Sequence, residues 1–167
     1  TTANNNTALG SGCLTVNTGS NNTTVGSQSL VTNTTGSRNT AVGFSSIANN
    51  TTANDITAVG YNALLLSTVS GDAFGSQALQ NNTTGANNVG IGYKGLFSNT
   101  TGGSNSALGN QSLTNNTTGN ANSGFGYQSL ASNSTASGNS AFGYQSLVSN
   151  TTGTRNTAVG ASSARTV

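Results

Sequence analysis

Apolar residues recur along this chain in short, evenly spaced groups, separated by stretches of Asn, Thr, Ser and Gly. Each group contains a glycine preceded by an apolar residue, as in NTAVG at 39–43 and again at 156–160. Seven of the nine intervals between these glycines are 17 residues, and the other two are 16 and 15. A constant period of this length is typical of stacked repeat proteins. The repeat glycines, which number coils 1 to 10, are Gly10, Gly26, Gly43, Gly60, Gly75, Gly92, Gly109, Gly126, Gly143 and Gly160.

Alignment on the repeat glycine gives most positions a fixed character. The residue just before the glycine, the apolar column, is Leu9, Val25, Val42, Val59, Phe74, Ile91, Leu108, Phe125, Phe142 and Val159. The residue four positions after it, the Leu column, is Leu14, Leu30, Ile47, Leu64, Leu79, Leu96, Leu113, Leu130 and Leu147, with Ala164 in coil 10. Asn fills eight of the ten positions seven residues after the glycine, the first Asn column. Asn also fills eight of the ten positions four residues before it, the second Asn column.

The pattern inside each unit favours strands over helices. In N-T-A-V-G, Thr and Val fall on one face and Ala on the other, a period of two residues. Clusters of Asn, Gly, Ser and Thr between the apolar positions are typical of turns. We therefore expect two short strands and two turns per unit. The predicted fold is all-β, a parallel β-roll or β-solenoid of about ten 17-residue coils that forms one domain over 1–167.

Stacked coils would place equivalent residues ~4.8 Å apart, so each column becomes a ladder and ten coils form a rod about 48 Å long. We expect side-chain amide ladders in the Asn columns and an inward core that includes Phe142, Leu147 and Val159. Such a core is thin. We therefore expect association with other chains through the small Ala and Gly columns. An end-to-end filament with this chain as its repeating subunit is a separate hypothesis.

Composition excludes most chemistry. Only 4% of residues are charged, and the chain has neither His nor Glu, so no acid–base pair or nucleophilic triad can be assembled. We predict no enzyme activity, cofactor or metal site; Cys13 is a single small residue, and Asp55 and Asp72 are turn residues. Lys94, Arg38, Arg155 and Arg165 are too scattered for a nucleic-acid surface. No apolar run reaches the ~20 residues of a membrane span, so no membrane insertion is expected in this segment.

Three repeated features are candidate sites. The residue just after the repeat glycine, the aromatic column, is a candidate ligand stripe that could stack on sugar rings or simply fill corners of the coils; its rings are Phe44, Tyr61, Tyr93, Tyr127 and Tyr144. The Asn-x-Thr sequons of the first Asn column would be glycan acceptors in a eukaryotic secretory protein and turn residues otherwise; they are Asn33, Asn50, Asn82, Asn99, Asn116, Asn133 and Asn150. Repeated Thr also raises ice binding, although the two Thr are adjacent here and their side chains would diverge.

The repeats NTAVGFSSIANNTT and SAFGYQSLVSNTTGTRNTAVG resemble the head repeats of trimeric autotransporter adhesins (YadA-like) and the repeat tracts of related bacterial surface and phage tail fibres. The resemblance covers essentially the whole chain. It implies a left-handed parallel β-roll, three chains around one axis, and an extracellular location on a cell surface or virion. The expected function is a structural or adhesive fibre segment with a host-surface glycan or protein as a further partner. The alternative is an ice- or glycan-binding β-solenoid that uses the Thr or Tyr columns.

Overall fold

The computed structural model describes residues 4–165 and contains one parallel sheet of ten short strands. Their order in the sheet follows their order in the chain, so each strand pairs only with its sequence neighbours. The strands are β1 (Thr7–Leu9), β2 (Thr23–Val25), β3 (Thr40–Val42), β4 (Thr57–Val59), β5 (Gly71–Phe74), β6 (Asn88–Ile91), β7 (Ser106–Leu108), β8 (Ser123–Phe125), β9 (Ser140–Phe142) and β10 (Thr157–Val159). The predicted all-β parallel solenoid is confirmed.

Strand register reproduces the alignment made on the glycines. Ala141 of β9 pairs with Ala158 of β10, and Phe142 pairs with Val159. The 16-residue first interval keeps this register, since Leu9 pairs with Val25. Residues that share a column in the sequence are therefore stacked neighbours in space.

The rest of each coil differs from the prediction, because the second half of the unit forms consecutive turns instead of a second strand. In coil 8 the amide of Ser129 donates to the Gly126 carbonyl and that of Asn133 to Leu130. Between these turns, Leu130 N–H donates to Ser146 O of the next coil at 3.0 Å. Leu130 has φ +54°, which removes this segment from the β region. Nine members of the Leu column share this conformation with φ between 48° and 54°.

The core has an apolar half made of the Leu column and of the small residue at the centre of each strand. Leu147, Ala141 and Ala73 are fully buried. The expectation of an inward Phe142 and Val159 is wrong, since these side chains are 41% and 73% exposed. Successive strand residues point to opposite faces, and the narrow space opposite the Leu side chain admits only the small central residue. Leu147 itself lies in the core as predicted.

The two Asn columns form the other, polar half of the core. Asn116 is fully buried; its side-chain amide donates to Asn99 Oδ1 at 2.8 Å and to Gly119 O at 3.0 Å. In the second Asn column, Asn105 Oδ1 accepts the backbone N–H of Asn122 at 2.9 Å. The predicted amide ladders are thus present. They explain how a chain with so few large apolar residues fills its interior with satisfied polar groups.

The repeat glycine is where successive coils approach most closely. Gly143 has φ +135°, and a Cβ there would lie 2.6 Å from the backbone oxygen of Gly160. The Ala column is buried and is not available to another chain, since Ala141 and Ala73 have no exposed surface, whereas Gly143 is half-buried. The expectation that chains associate through the Ala column is therefore wrong, and association through the Gly column stays a prediction.

Coils 4 and 5 interrupt the regular pattern. The interval from Gly60 to Gly75 lacks two residues of the usual turn, and Ser67 replaces Asn in the first Asn column. In the second Asn column Ile56 and Gly71 stand where the other coils have Asn. Ile56 is fully buried, so an apolar side chain fills this part of the core.

Candidate functional site

The outward face of the sheet is the surface with the most unusual chemistry. Because the central strand residue points inward, the apolar column and the Thr or Ser two positions earlier both point outward. Leu108 remains 45% exposed and Phe74 41%. The large outward side chains of this column form a nearly continuous apolar stripe from Leu9 to Val159. Within the stripe, the rings of Phe125 and Phe142 stack with their centroids 5.1 Å apart. The sequence predicts Phe142 and Val159 of this stripe in the core. The period-two alternation of T-A-V puts Thr and Val on one face of the strand but does not say which face is outward.

The predicted aromatic column lies next to this stripe, and all five of its rings are exposed. Four of them form two pairs between neighbouring coils. Phe44 stacks on Tyr61 with centroids 5.8 Å apart, and Tyr127 stacks on Tyr144 at 5.3 Å, with interplanar angles of 15° and 13°. In each pair, one face of each ring is covered by its partner. The column is therefore not a continuous platform for sugar stacking. Tyr93 has no ring in either adjacent coil, because Ser76 and Asn110 occupy the column there.

The seven candidate glycan acceptors, which are the sequon asparagines of the first Asn column, are fully buried. Each side-chain amide nitrogen is already a donor; that of Asn133, for example, reaches Asn116 Oδ1 at 2.9 Å and Ala136 O at 3.0 Å. A glycan on this nitrogen would have to replace interior hydrogen bonds. The geometry favours the turn and ladder interpretation over glycan attachment for Asn33, Asn50, Asn82, Asn99, Asn116, Asn133 and Asn150.

The adjacent Thr residues of the turn have different environments. The first hydroxyl binds the next coil, as in Thr100 Oγ1 to Thr117 O at 3.1 Å. The second side chain, such as Thr101 or Thr118, is exposed. In the turns at 34–35, 83–84, 100–101 and 117–118 only the second Thr is exposed, whereas both Thr are exposed at 51–52 and 151–152. The geometry offers no T-x-T surface in this turn, and ice binding gains no support from it.

Charged groups are sparse and lie mostly apart. Arg38 pairs with Asp55 of the next coil, with Nε 2.6 Å from Oδ1 and Nη2 2.8 Å from Oδ2. This hydrogen bond from Arg38 lowers the pKa of the Asp55 carboxyl below its ordinary value. Asp72 accepts the backbone N–H of Thr57 at 3.1 Å, whereas the corresponding strand amide of a regular coil, such as that of Ser106, donates to a backbone carbonyl of the next coil. The Lys94 ammonium lies 5.2 Å from the centroid of the Tyr93 ring.

Comparison of the chain with protein-family models, curated proteins and solved structures found no match. Within residues 4–165 there is no helix with the length and hydropathy that a bilayer crossing requires. The same part of the chain contains no cluster of three His, Cys, Asp or Glu that could ligate a metal. The outward columns are therefore the features of the molecule that bear on function.

Proposed function

We propose that this chain is a segment of an extracellular structural or adhesive fibre, a rod whose copies associate side by side on a cell or virion surface. The observation that supports the proposal is the apolar column, which lies outward along the whole sheet. The resemblance of the repeats to adhesin heads and phage tail fibres makes the homotrimer the expected assembly.

The apolar column is suited to contact with a second copy. Its members repeat at one residue per coil, about every 4.8 Å, and exposed apolar stripes of this extent mark interaction surfaces. The outward residue two positions earlier is Thr or Ser in eight of the ten coils. A partner that binds through charged groups finds almost none on this surface. A second copy of the chain presents the same apolar repeat with the same uncharged Thr and Ser side chains beside it.

Lysine substitutions in the apolar column test this proposal without disturbing the core. We expect the wild-type chain to have about three times its 16.4 kDa mass by light scattering. The double variant Leu108→Lys/Phe142→Lys should be monomeric and keep its β-type circular dichroism, because both side chains point away from the core. The matched control is Thr101→Lys/Thr118→Lys, which adds the same charge on the exposed Thr column and should keep the wild-type mass.

A monomeric wild-type chain, or a trimer that survives the Leu108→Lys/Phe142→Lys changes, would contradict lateral association through this column. Long end-to-end filaments in electron micrographs of the purified protein would instead support the filament alternative. Coil ends, rather than the outward face, would then carry assembly.

Glycan binding is the second candidate function. The exposed rings of the aromatic column favour it, because large aromatic side chains on a polar surface are typical of ligand contacts. A glycan-array signal that disappears in a Tyr93→Ala/Tyr127→Ala variant would support this role. Retention of the signal in that variant would rule out these two rings.

A further inference from the structure

The aromatic column has two gaps between its rings, at Ser76 in coil 5 and at Asn110 in coil 7. The gap in coil 7 is flanked by more groups that can bind a ligand. Tyr93 in coil 6 and Tyr127 in coil 8 flank Asn110 in coil 7. We call these three residues the Asn110 notch. Tyr127 stacks on Tyr144 of coil 9, so its other face is directed along the rod toward Asn110. All three side chains are exposed.

The width of the notch suits one six-membered ring. Two coil steps separate Tyr93 from Tyr127 by about 9.6 Å. A ring midway between them would lie ~4.8 Å from each centroid, within the 4.5–7 Å range of stacking contacts. An aromatic guest would cover the polar Asn110 side chain without satisfying it, at a free-energy penalty. A pyranose has an apolar face for the rings and hydroxyl groups for the amide.

A ladder of Gln side chains beside the notch ends at this level. Gln145 Nε2 donates to Gln128 Oε1 at 2.9 Å, and Gln128 Nε2 donates to Gln111 Oε1 at 3.0 Å. The next position toward the N-terminus is Lys94, whose ammonium group cannot accept a hydrogen bond. Within residues 4–165, Gln111 Nε2 therefore has no acceptor at the next rung. The Lys94 ammonium lies 5.2 Å from the centroid of the Tyr93 ring and 5.1 Å from that of the Phe97 ring.

We infer that the Asn110 notch binds an acidic pyranose, a uronic or similar sugar acid, with its ring between Tyr93 and Tyr127. The carboxylate would accept one hydrogen bond from Gln111 Nε2 and one from the Lys94 ammonium. A hydrogen bond is stronger when its donor is charged. The gap at Ser76 lacks this preference, because its coil carries the Asp72 carboxylate on the outward face of β5. This inference depends on the glycan-binding candidate and not on the fibre role.

Methyl β-D-glucuronide and the neutral methyl β-D-glucoside are the probes for the full-length chain. Perturbation of Tyr ring resonances in NMR titrations should give a saturable site for the glucuronide with a Kd on the order of 1 mM. The glucoside should bind roughly five-fold more weakly, because it lacks the charged contact. Lys94→Gln should reduce this ratio to about one, because it removes the charged contact that distinguishes the two glycosides.

The variant Asn110→Tyr fills the notch and should abolish binding of both glycosides. Its control is Ser27→Tyr, which adds a ring to the same column beside Phe44 but leaves the notch open, so binding should persist. Both variants should keep the wild-type circular dichroism and mass.

Two results would overturn the inference. Unchanged binding in Asn110→Tyr would place the sugar elsewhere and leave glycan binding itself standing. Absence of saturable binding to either glycoside in the wild-type chain would remove the notch and the second candidate function together. The mass measured by light scattering tests the fibre proposal independently of these two binding results.

Discussion

Coils 6–9 and the stretch from Ile56 to Asp72 perform the same structural task with different interiors. In coils 6–9 the period is a constant 17 residues, and both Asn columns run without a break. In the irregular stretch the period falls to 15, and the two Asn columns contain Ser67, Ile56 and Gly71. The strand ladder nevertheless passes through both regions in the same parallel register. The backbone stack thus tolerates loss of the amide ladder, which identifies the ladder as a source of added stability rather than a requirement for stacking.

The largest expected effect is loss of one rung in the regular region. Asn116→Ala removes the donor to Asn99 Oδ1 and the acceptor of Asn133 Nδ2, which lie at 2.8 and 2.9 Å. Two buried polar groups would lose partners, at about 1–3 kcal/mol each. We expect the free energy of unfolding to fall by about 3 kcal/mol in urea titrations followed by circular dichroism.

The matched change in the irregular stretch is Ser67→Ala. It removes the 3.3 Å contact from Asn82 Nδ2 to Ser67 Oγ and the local bond from Ser67 Oγ to Val69 O at 3.0 Å. Asn82 Nδ2 keeps its bond to Gly85 O at 2.9 Å, so the expected loss is about 1 kcal/mol. Thr118→Ala, on the exposed side of the Asn116 turn, serves as the control and should change stability by less than about 0.5 kcal/mol. Equal losses for Asn116→Ala and Ser67→Ala would show that the two interiors do not differ in the way proposed.

Much of this comparison can be predicted from the sequence, because the period, the columns and their interruptions all lie in the order of residues. The amide ladders follow from Asn stacked on Asn. The direction of the strand side chains does not follow so simply. Val159 and Phe142 look like core residues by hydropathy, and only the width of the coil decides that Ala158 and Ala141 point inward instead.

The positive φ of the Leu column could not be predicted from the sequence either. A positive φ is expected at Gly or Asn, where it carries little steric penalty, yet here it occurs at the Leu or Ile of nine coils. Leu130 accepts this conformation because its N–H pairs with the next coil and its side chain fills the apolar half of the core. The local strain is offset by contacts between coils, which a single repeat does not reveal.

The Leu column provides a second, smaller test, because its single β-branched member lies one coil before the irregular stretch. Ile47 has φ +50° and Leu113, in the regular region, has φ +51°. A branched Cβ is poorly accommodated in the left-handed region. Leu113→Ile should therefore reduce the free energy of unfolding by about 1 kcal/mol, and Ile47→Leu should raise it by a similar or smaller amount.

Leu113→Met keeps an unbranched Cβ at nearly the same volume and is the control for packing changes. It should alter stability less than Leu113→Ile does. If Ile47→Leu and Leu113→Ile both destabilise the chain equally, side-chain packing rather than backbone conformation decides the residue in this column.

The smallest expected effect concerns the exposed ion pair beside the irregular stretch. Arg38 and Asp55 are 57% and 62% exposed, so solvent screens the pair and its contribution to stability is small. Because Arg38 lowers the pKa of Asp55, this contribution is present above the unfolded-state pKa of the carboxyl and is lost as the pH falls through its lowered folded-state pKa. Thermal melts of the wild type and Asp55→Asn should therefore differ slightly at neutral pH and converge in acid. A difference that persists in acid would mean that Asp55 acts through its turn conformation, φ +59°, and not through its charge. A large difference at neutral pH would show that surface pairing compensates for the broken Asn ladder, which would remove the proposed contrast between the two regions.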